Sequence, residues 1–198
     1  MDIILATRNP SKADQIRAVF SGLPVQILTL DEAGIKGEAV EDGRTLQENA
    51  LKKARFVHEQ LADKTLVMAD DTGLFINALG GAPGIRSARW AGETATTEEI
   101  TKHTLAALAG ATDRSARFET AVAVIMPDGR ERFFNGQVSG QILESPRTAP
   151  QPKMPYSGIF VCDGSGLVWA EMTIEHENSI SHRGQAFRQA RALIEGLL

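Results

Sequence analysis

The chain has 198 residues, 42% hydrophobic and 23% charged, proportions that fit a soluble globular protein and exclude a disordered chain, a collagen and a coiled coil. Lys plus Arg number 21 against 25 Asp plus Glu, a net charge of −4, which argues against a nucleic-acid polymer or a membrane surface as partner but leaves room for a small polyanion in a basic pocket. The lone cysteine, Cys162, excludes an intrachain disulfide and a Cys-rich zinc site, and no apolar run approaches the ~20 residues of a membrane helix.

Residues 2–6 form a short apolar run that meets a polar turn at Thr7-Arg8-Asn9-Pro10, which reads as a buried strand. Pro10 to Phe20 follows as a helix, with Asn9 as cap and an apolar face of Ile16, Val19 and Phe20. Val25 to Leu30 is a second strand. Thr45 to Ala62 is the clearest helix: Thr45 and Glu48 form a capping-box pattern, and Leu46, Ala50, Ala54, Val57 and Leu61 make one buried stripe. Thr65 to Ala69 is an apolar strand ending at Asp70-Asp71-Thr72-Gly73. Gly80 to Gly84 is a Gly/Pro loop, and Thr96 to Leu108 a helix. Phe118 to Met126 and Glu131 to Val138 flank Pro127-Asp128-Gly129 as a hairpin. Ser145 to Pro155 is a Pro-rich loop, Ile159 to Val161 a strand and Arg183 to Leu197 a terminal helix. Helices alternate with strands and a hairpin follows, so a mixed α/β sheet in a single domain, 1–198, is expected.

Four polar clusters carry the chemistry. Thr7 to Lys12 joins a buried strand to a helix N-terminus, where free N–H groups and the dipole favour an anion; Thr7, Asn9 and Ser11 add neutral donors and Arg8 and Lys12 add charge. The glycines of a P-loop are absent, and a capped surface helix with two solvated cations would read the same way. Glu41-Asp42-Gly43 precedes the helix on which Asn49 and Lys53 share a face; the acidic pair reads either as a metal-holding loop or as a solvated turn. Asp70 and Asp71 end a buried run, where two carboxylates are costly to desolvate unless paired or metal-bound, and Mg²⁺ is the expected partner. Adjacent extended residues point opposite ways, so the two are expected to differ in role. Ser181-His182-Arg183 opens the last helix and suits a polar ring or a phosphate, with Ser181 as a plain cap the simpler reading. Cys162 reads as a small buried hydrophobe.

Taken together, Leu5 to Lys12, Glu41-Asp42-Gly43, Thr45 to Ala50, Lys53-Ala54, Ala69 to Leu74, Gly80 to Ile85, Ser87-Ala88-Arg89 and Ser181 to Ala186 resemble the inosine triphosphatase family of purine nucleoside triphosphate pyrophosphatases. The resemblance implies a homodimer and a long mixed sheet flanked by helices, with a cleft between two lobes. It implies Mg²⁺-dependent hydrolysis of inosine, deoxyinosine and xanthosine triphosphates to monophosphate and pyrophosphate. Separately, the Met1 to Ala6 start lacks the basic run and cleavage site of a signal peptide, and a cytoplasmic protein is expected. By resemblance Thr7, Arg8, Asn9, Lys12 and Lys53 would hold the triphosphate. Glu41 and Asp71 would place the metal, with Asp70 close by and Asp71 as base for the attacking water. Thr72, Tyr156, His182 and Arg183 would meet the substrate, the last two at the 6-oxo group.

The likeness breaks at the base end. Met154 stands where the family has a stacking Phe, Ser157 where it has a base-contacting Asp, and Glu177 where it has a Lys. Reduced discrimination, or reduced activity on inosine and xanthosine triphosphates, is therefore expected, with the same hydrolysis on another base, or nucleotide binding with little turnover, as alternatives.

Overall fold

Apolar alternation sorts this chain into two faces of one sheet. The structure, a computed structural model, describes residues 1–61 and 65–198. Its strands are β1 (Asp2–Leu5), β2 (Gln26–Thr29), β3 (Leu66–Ile76), β4 (Pro83–Gly84), β5 (Ser115–Ile125), β6 (Glu131–Ile142) and β7 (Phe160–Cys162); its α-helices among the described residues are α1 (Pro10–Val19), α2 (Leu46–Gln60), α3 (Thr97–Ala107), α4 (Ile174–Ile180) and α5 (His182–Glu195). The sheet runs β2-β1-β3-β5-β6-β7, with β4 paired to β3. β1 lies parallel to β2 and β3, and the pairs β3–β5, β5–β6 and β6–β7 are antiparallel. This is the mixed α/β sheet expected.

On one face Ile3, Leu5, Leu66, Met68, Val122 and Val124 meet Ala13 and Ile16 of α1 and Ala186, Phe187 and Ala190 of α5. On the other, Ile4, Val67, Ala69, Ala123 and Ile125 meet Ala50, Ala54 and Val57 of α2. A further core gathers Leu74, Ile76, Phe118, Ile142, Phe160 and Trp169 towards β7. Burying each large side chain contributes about 1.5–3 kcal/mol, and Phe118, Tyr156 and Trp169 of the last cluster also line a cleft.

The local signals acted as read. Asn9 Oδ1 accepts from Lys12 N and Pro10 opens α1. Thr45 Oγ1 accepts from Glu48 N, but the Glu48 carboxylate takes the N–H of Arg44 rather than that of the cap residue. The helix predicted as far as Ala62 ends at Gln60, and Ala62 lies outside the described residues. The Gly80 to Gly84 loop holds a short pairing, Pro83 and Gly84 on Phe75 and Leu74. Sequence reading missed α4, whose Glu175, His176, Glu177 and Asn178 show no apolar period.

One correction bears on the site. Asp70 and Asp71 do not end a strand; β3 runs through them to Ile76, held by ten successive rungs to β5. The edge on the other side explains it. β1 pairs with β3 only as far as Met68, the chain then leaves towards α1, and β4 resumes pairing at Leu74. The acidic pair sits on a stretch of β3 edge that neither strand covers.

Candidate active site

The pleat of β3 assigns the two carboxylates to different neighbourhoods. Asp70 continues the parity of Leu66 and Met68 and faces α1 and α5. Its Oδ2 lies 3.0 Å from Lys12 Nζ and 3.6 Å from Arg183 Nε. Asp71 continues the parity of Val67 and Ala69 and faces α2, where Asn49 Nδ2 donates to its Oδ2 at 3.2 Å and Lys53 Nζ to its Oδ1 at 3.1 Å. Lys53 also donates to Glu41 at 3.0 Å, so one ammonium gathers a carboxylate from the strand and one from the acidic loop. Asn49 locks that loop: its Oδ1 accepts from Gly43 N at 2.8 Å. The solvated-turn reading holds for Asp42, which pairs with Lys52 on the surface, and not for Glu41.

Burial and charge set the protonation. Burial alone would raise Asp70, but Lys12, Arg183 and Lys53 outweigh it and hold the carboxyl at about 2. Asp71 goes the other way: burial raises it, Glu41 adds to the rise, and Lys53 and Asn49 offset only part. Burial lowers Lys12 more than Asp70 restores it. Burial also works against the Lys53 ammonium, yet Asp71, Glu41 and Asp70 together push that group up. Burial, helped by Arg183, puts His182 well below the ordinary imidazole value, so its ring is neutral.

A cleft of about 320 Å³ joins these groups to Asn9, Thr72, Phe118, Met154, Tyr156, Ser157, Trp169, Glu177 and His182. A smaller hollow of about 210 Å³, lined also by Thr7, Arg8 and Asp70, shares Lys12, Glu41 and Lys53 with it. Between them the cleft and the hollow are lined by Thr7, Arg8, Asn9, Lys12, Glu41, Lys53, Asp70, Asp71, Thr72, Tyr156, His182 and Arg183, whereas Ser11, Asp42 and Cys162 line neither. The Arg8 guanidinium is turned away, donating to Asp31 at 2.9 Å and to the Ile35 carbonyl at 2.8 Å.

The far end of the cleft is built differently from the sequence reading. The Ser157 hydroxyl accepts from Gln151 N at 2.7 Å and donates to the Met154 carbonyl at 2.8 Å, so its proton serves the loop. Tyr156 donates to the Ser87 carbonyl at 2.7 Å and packs edge-on to Phe118. Phe118 stacks on His182 with centroids 4.8 Å apart, and Trp169 meets His182 edge-on. Glu177 is buried beside Arg183 and Gln15, and burial raises its carboxyl more than those two lower it. Gln15 also accepts from Arg183 at 2.6 Å. Phe118, Trp169, Gln15 and Thr120 are not found from the sequence.

Gly136 makes this end possible. It pairs with Thr120 across the sheet, and a Cβ there would stand 2.0 Å from the His182 carbonyl oxygen. Gly136→Ala must therefore shift the α5 terminus, and it should cost about 1–3 kcal/mol. Urea unfolding of the variant against the parent measures this; an unchanged midpoint would contradict the close approach.

The fold and cleft define a class first: a mixed α/β protein that sets cations and paired carboxylates around an uncovered strand edge, with an aromatic-lined end beyond. The chain belongs to the Ham1 family, matched over residues 3–193. It is 42% identical over 196 residues to a dITP/XTP pyrophosphatase of Thermoanaerobacter sp. (strain X514), covering 98% of this chain and 96% of that protein. Among solved structures it resembles the Staphylococcus aureus Ham1 protein, with 31% identity, a TM-score of 0.84 and 100% of each chain covered. It also resembles a nucleoside-triphosphatase, dITP/XTP pyrophosphatase, of Mycobacterium abscessus, with 34% identity, a TM-score of 0.72 and 96% and 98% of the two chains covered. No helix among the described residues is long and apolar enough to cross a membrane.

Proposed function

We propose that this protein is a nucleoside triphosphate pyrophosphatase that hydrolyses ITP, dITP and XTP to monophosphate and pyrophosphate, with Mg²⁺ as its metal, and so clears non-standard purines from the nucleotide pool. The observation that carries the reading is Lys53 bridging Glu41 and Asp71 at 3.0 and 3.1 Å, with Lys12 on Asp70 around the same strand edge. Phosphate oxygens can take over those cations and free the carboxylates. The family membership and the names of the relatives support the substrate class.

In this reading Lys12, Lys53, Thr7 and Asn9 take the triphosphate at the α1 terminus, and Arg8 serves through its main chain. The donor pair Glu41 and Asp71 is all carboxylate oxygen, which fits Mg²⁺ completed by substrate phosphates and water. When bound, the metal would neutralise phosphate charge and polarise phosphoryl oxygens. Asp71, raised by burial, accepts the proton of the attacking water as the water oxygen bonds to the α-phosphorus and pyrophosphate leaves. Asp70 stays ionised and holds Lys12 and Arg183 in place. Thr72, Tyr156, His182 and Arg183 wall the base end.

Purified protein with Mg²⁺ should release pyrophosphate, not orthophosphate, from ITP, lose that activity in EDTA and regain it on adding Mg²⁺. Orthophosphate as first product would refute the assignment. A homodimer belongs to the same proposal, and light scattering should give about twice the 21.4 kDa chain mass.

A second reading, relaxed base choice, is favoured by the cleft itself. Met154 replaces a flat ring with a flexible side chain, the Ser157 proton is already used, and Glu177 offers an acceptor where a cation is expected. A panel of triphosphates separates the two. A thousandfold preference for inosine over adenosine and guanosine triphosphates would exclude the relaxed reading.

A further inference from the structure

Thr120 lies on β5, 1% exposed, opposite Thr72 in the β3–β5 register. Its hydroxyl oxygen is 2.6 Å from Thr72 Oγ1 and 2.6 Å from His182 Nδ1. Three polar groups from β3, β5 and α5 thus form one chain, and the chain ends on the ring that stacks against Phe118 and lines the cleft.

Counting protons gives this chain a direction. It contains two hydroxyl protons and, with a neutral ring, one imidazole N–H. If Thr72 donates to Thr120 and Thr120 donates to Nδ1, both hydroxyl protons are used, and the imidazole proton sits on Nε2. If instead Nδ1 carries the proton and donates to Thr120, then Thr120 must donate to Thr72. The Thr72 proton is then left without any of the acceptors described for it. Thr72 is half-buried and lines the cleft, so that arrangement leaves its proton to solvent or to a ligand. The first arrangement uses both hydroxyl protons inside the protein, between the buried Thr120 and His182.

We infer that Thr120 is a positioning residue: the Thr72–Thr120 relay holds His182 as the Nε2–H tautomer, so the ring offers the cleft a hydrogen-bond donor and commits the base end to a nucleobase carrying an acceptor. The recognition half of this rests on the function proposed above; the tautomer half does not. His182 shares the selection with Arg183, because two other residues of the base end contribute little. Ser157 has committed its proton to Met154, and the side chain of Met154 carries no donor.

The test uses the full-length protein with ¹⁵N-labelled histidine, and His182→Gln identifies the His182 signals. Parent protein without nucleotide should show the Nε2–H pattern for His182 in long-range ¹H–¹⁵N spectra. Thr120→Val should lose that bias, and Thr120→Ser, which keeps the hydroxyl, should retain it. With substrate, Thr120→Val should lower the ratio of kcat/KM for inosine over adenosine triphosphate about tenfold, mainly through KM, with kcat within about threefold. Thr120→Ser should stay within about threefold of the parent. An Nδ1–H pattern in the parent overturns the inference, as does a Thr120→Val variant that keeps both pattern and ratio. If Thr120→Val does not fold, the parent spectrum and Thr120→Ser decide it. If the parent hydrolyses neither nucleotide, the proposed function fails, while the spectra still decide the tautomer.

Discussion

Asp71→Asn is expected to lose between a hundred- and ten-thousandfold in kcat, the range a lost general base produces. The exchange keeps the shape and the hydrogen bonding towards Asn49 but removes the proton acceptor and one carboxylate of the pair with Glu41. Stability should change by no more than about 1 kcal/mol. Burial already works against the Asp71 charge, so a neutral amide gives up the Lys53 attraction but gains the desolvation the carboxylate had paid. Pyrophosphate release under saturating substrate and Mg²⁺ measures the first expectation, and urea unfolding the second. A variant within tenfold of the parent would remove Asp71 from the chemistry.

Asp70→Asn, one residue away, should do the reverse and strike the fold. Asp70 is 3% exposed between Lys12 and Arg183. Removing its charge leaves two cations in a dry place, a loss of about 3–5 kcal/mol. The sign with pH follows from its value of about 2 in the folded protein against an ordinary 3.8. A depressed carboxyl stabilises the fold above its unfolded value, and that share, roughly 2 kcal/mol, is lost as pH falls from 3.8 towards 2. Asp71 and Glu177 are raised, so their burial penalty eases on acidification and they act in the opposite sense. The gap in unfolding free energy between parent and Asp70→Asn should thus narrow as pH drops from 5 to 2. A constant gap would show that the ion pairs do not set it.

The two outcomes follow from a property readable in the sequence: adjacent residues of an extended segment face opposite ways. The phosphate-suited turn at Thr7 to Lys12, the Asn49 and Lys53 face of α2 and the opening of α5 were legible for the same reason, since each depends on spacing within a few residues. What was not legible depends on partners far along the chain. β3 was cut short because apolar patterning stops at Ala69, whereas its continuation is dictated by the β5 ladder and by β1 ending at Leu5. Thr120 reads as an ordinary strand threonine until His182 is set beside it, 62 residues on. Gln15 reads as a solvated helix residue until Arg183 reaches it. The polar run of α4 hid a helix, although Thr173, which accepts from His176 N, was a cap in plain view. Ser157 is read from the sequence only as the loss of a base-contacting Asp, and its own loop partners, Gln151 and Met154, are not legible from composition.

The contact between α1 and α5 also has a meaning in time. Gln15 accepts from Arg183 of α5 at 2.6 Å and from Asn178 of the adjoining α4 at 2.8 Å, across 168 and 163 residues. Synthesis delivers the chain N-terminus first, at about 5–20 residues per second. The cations and carboxylates proposed to hold phosphate and metal are therefore made early, but the proposed base end and the α5 cover over Leu5, Met68 and Val122 arrive last. Until residue 183 has emerged and docked, Asp70 has one cation partner instead of two, and an apolar face of the sheet stands open to water. A nascent chain paused before α5 thus lacks His182 and Arg183 of the proposed base end and is at its most adhesive, so docking of the last helix both covers the core and completes the proposed site.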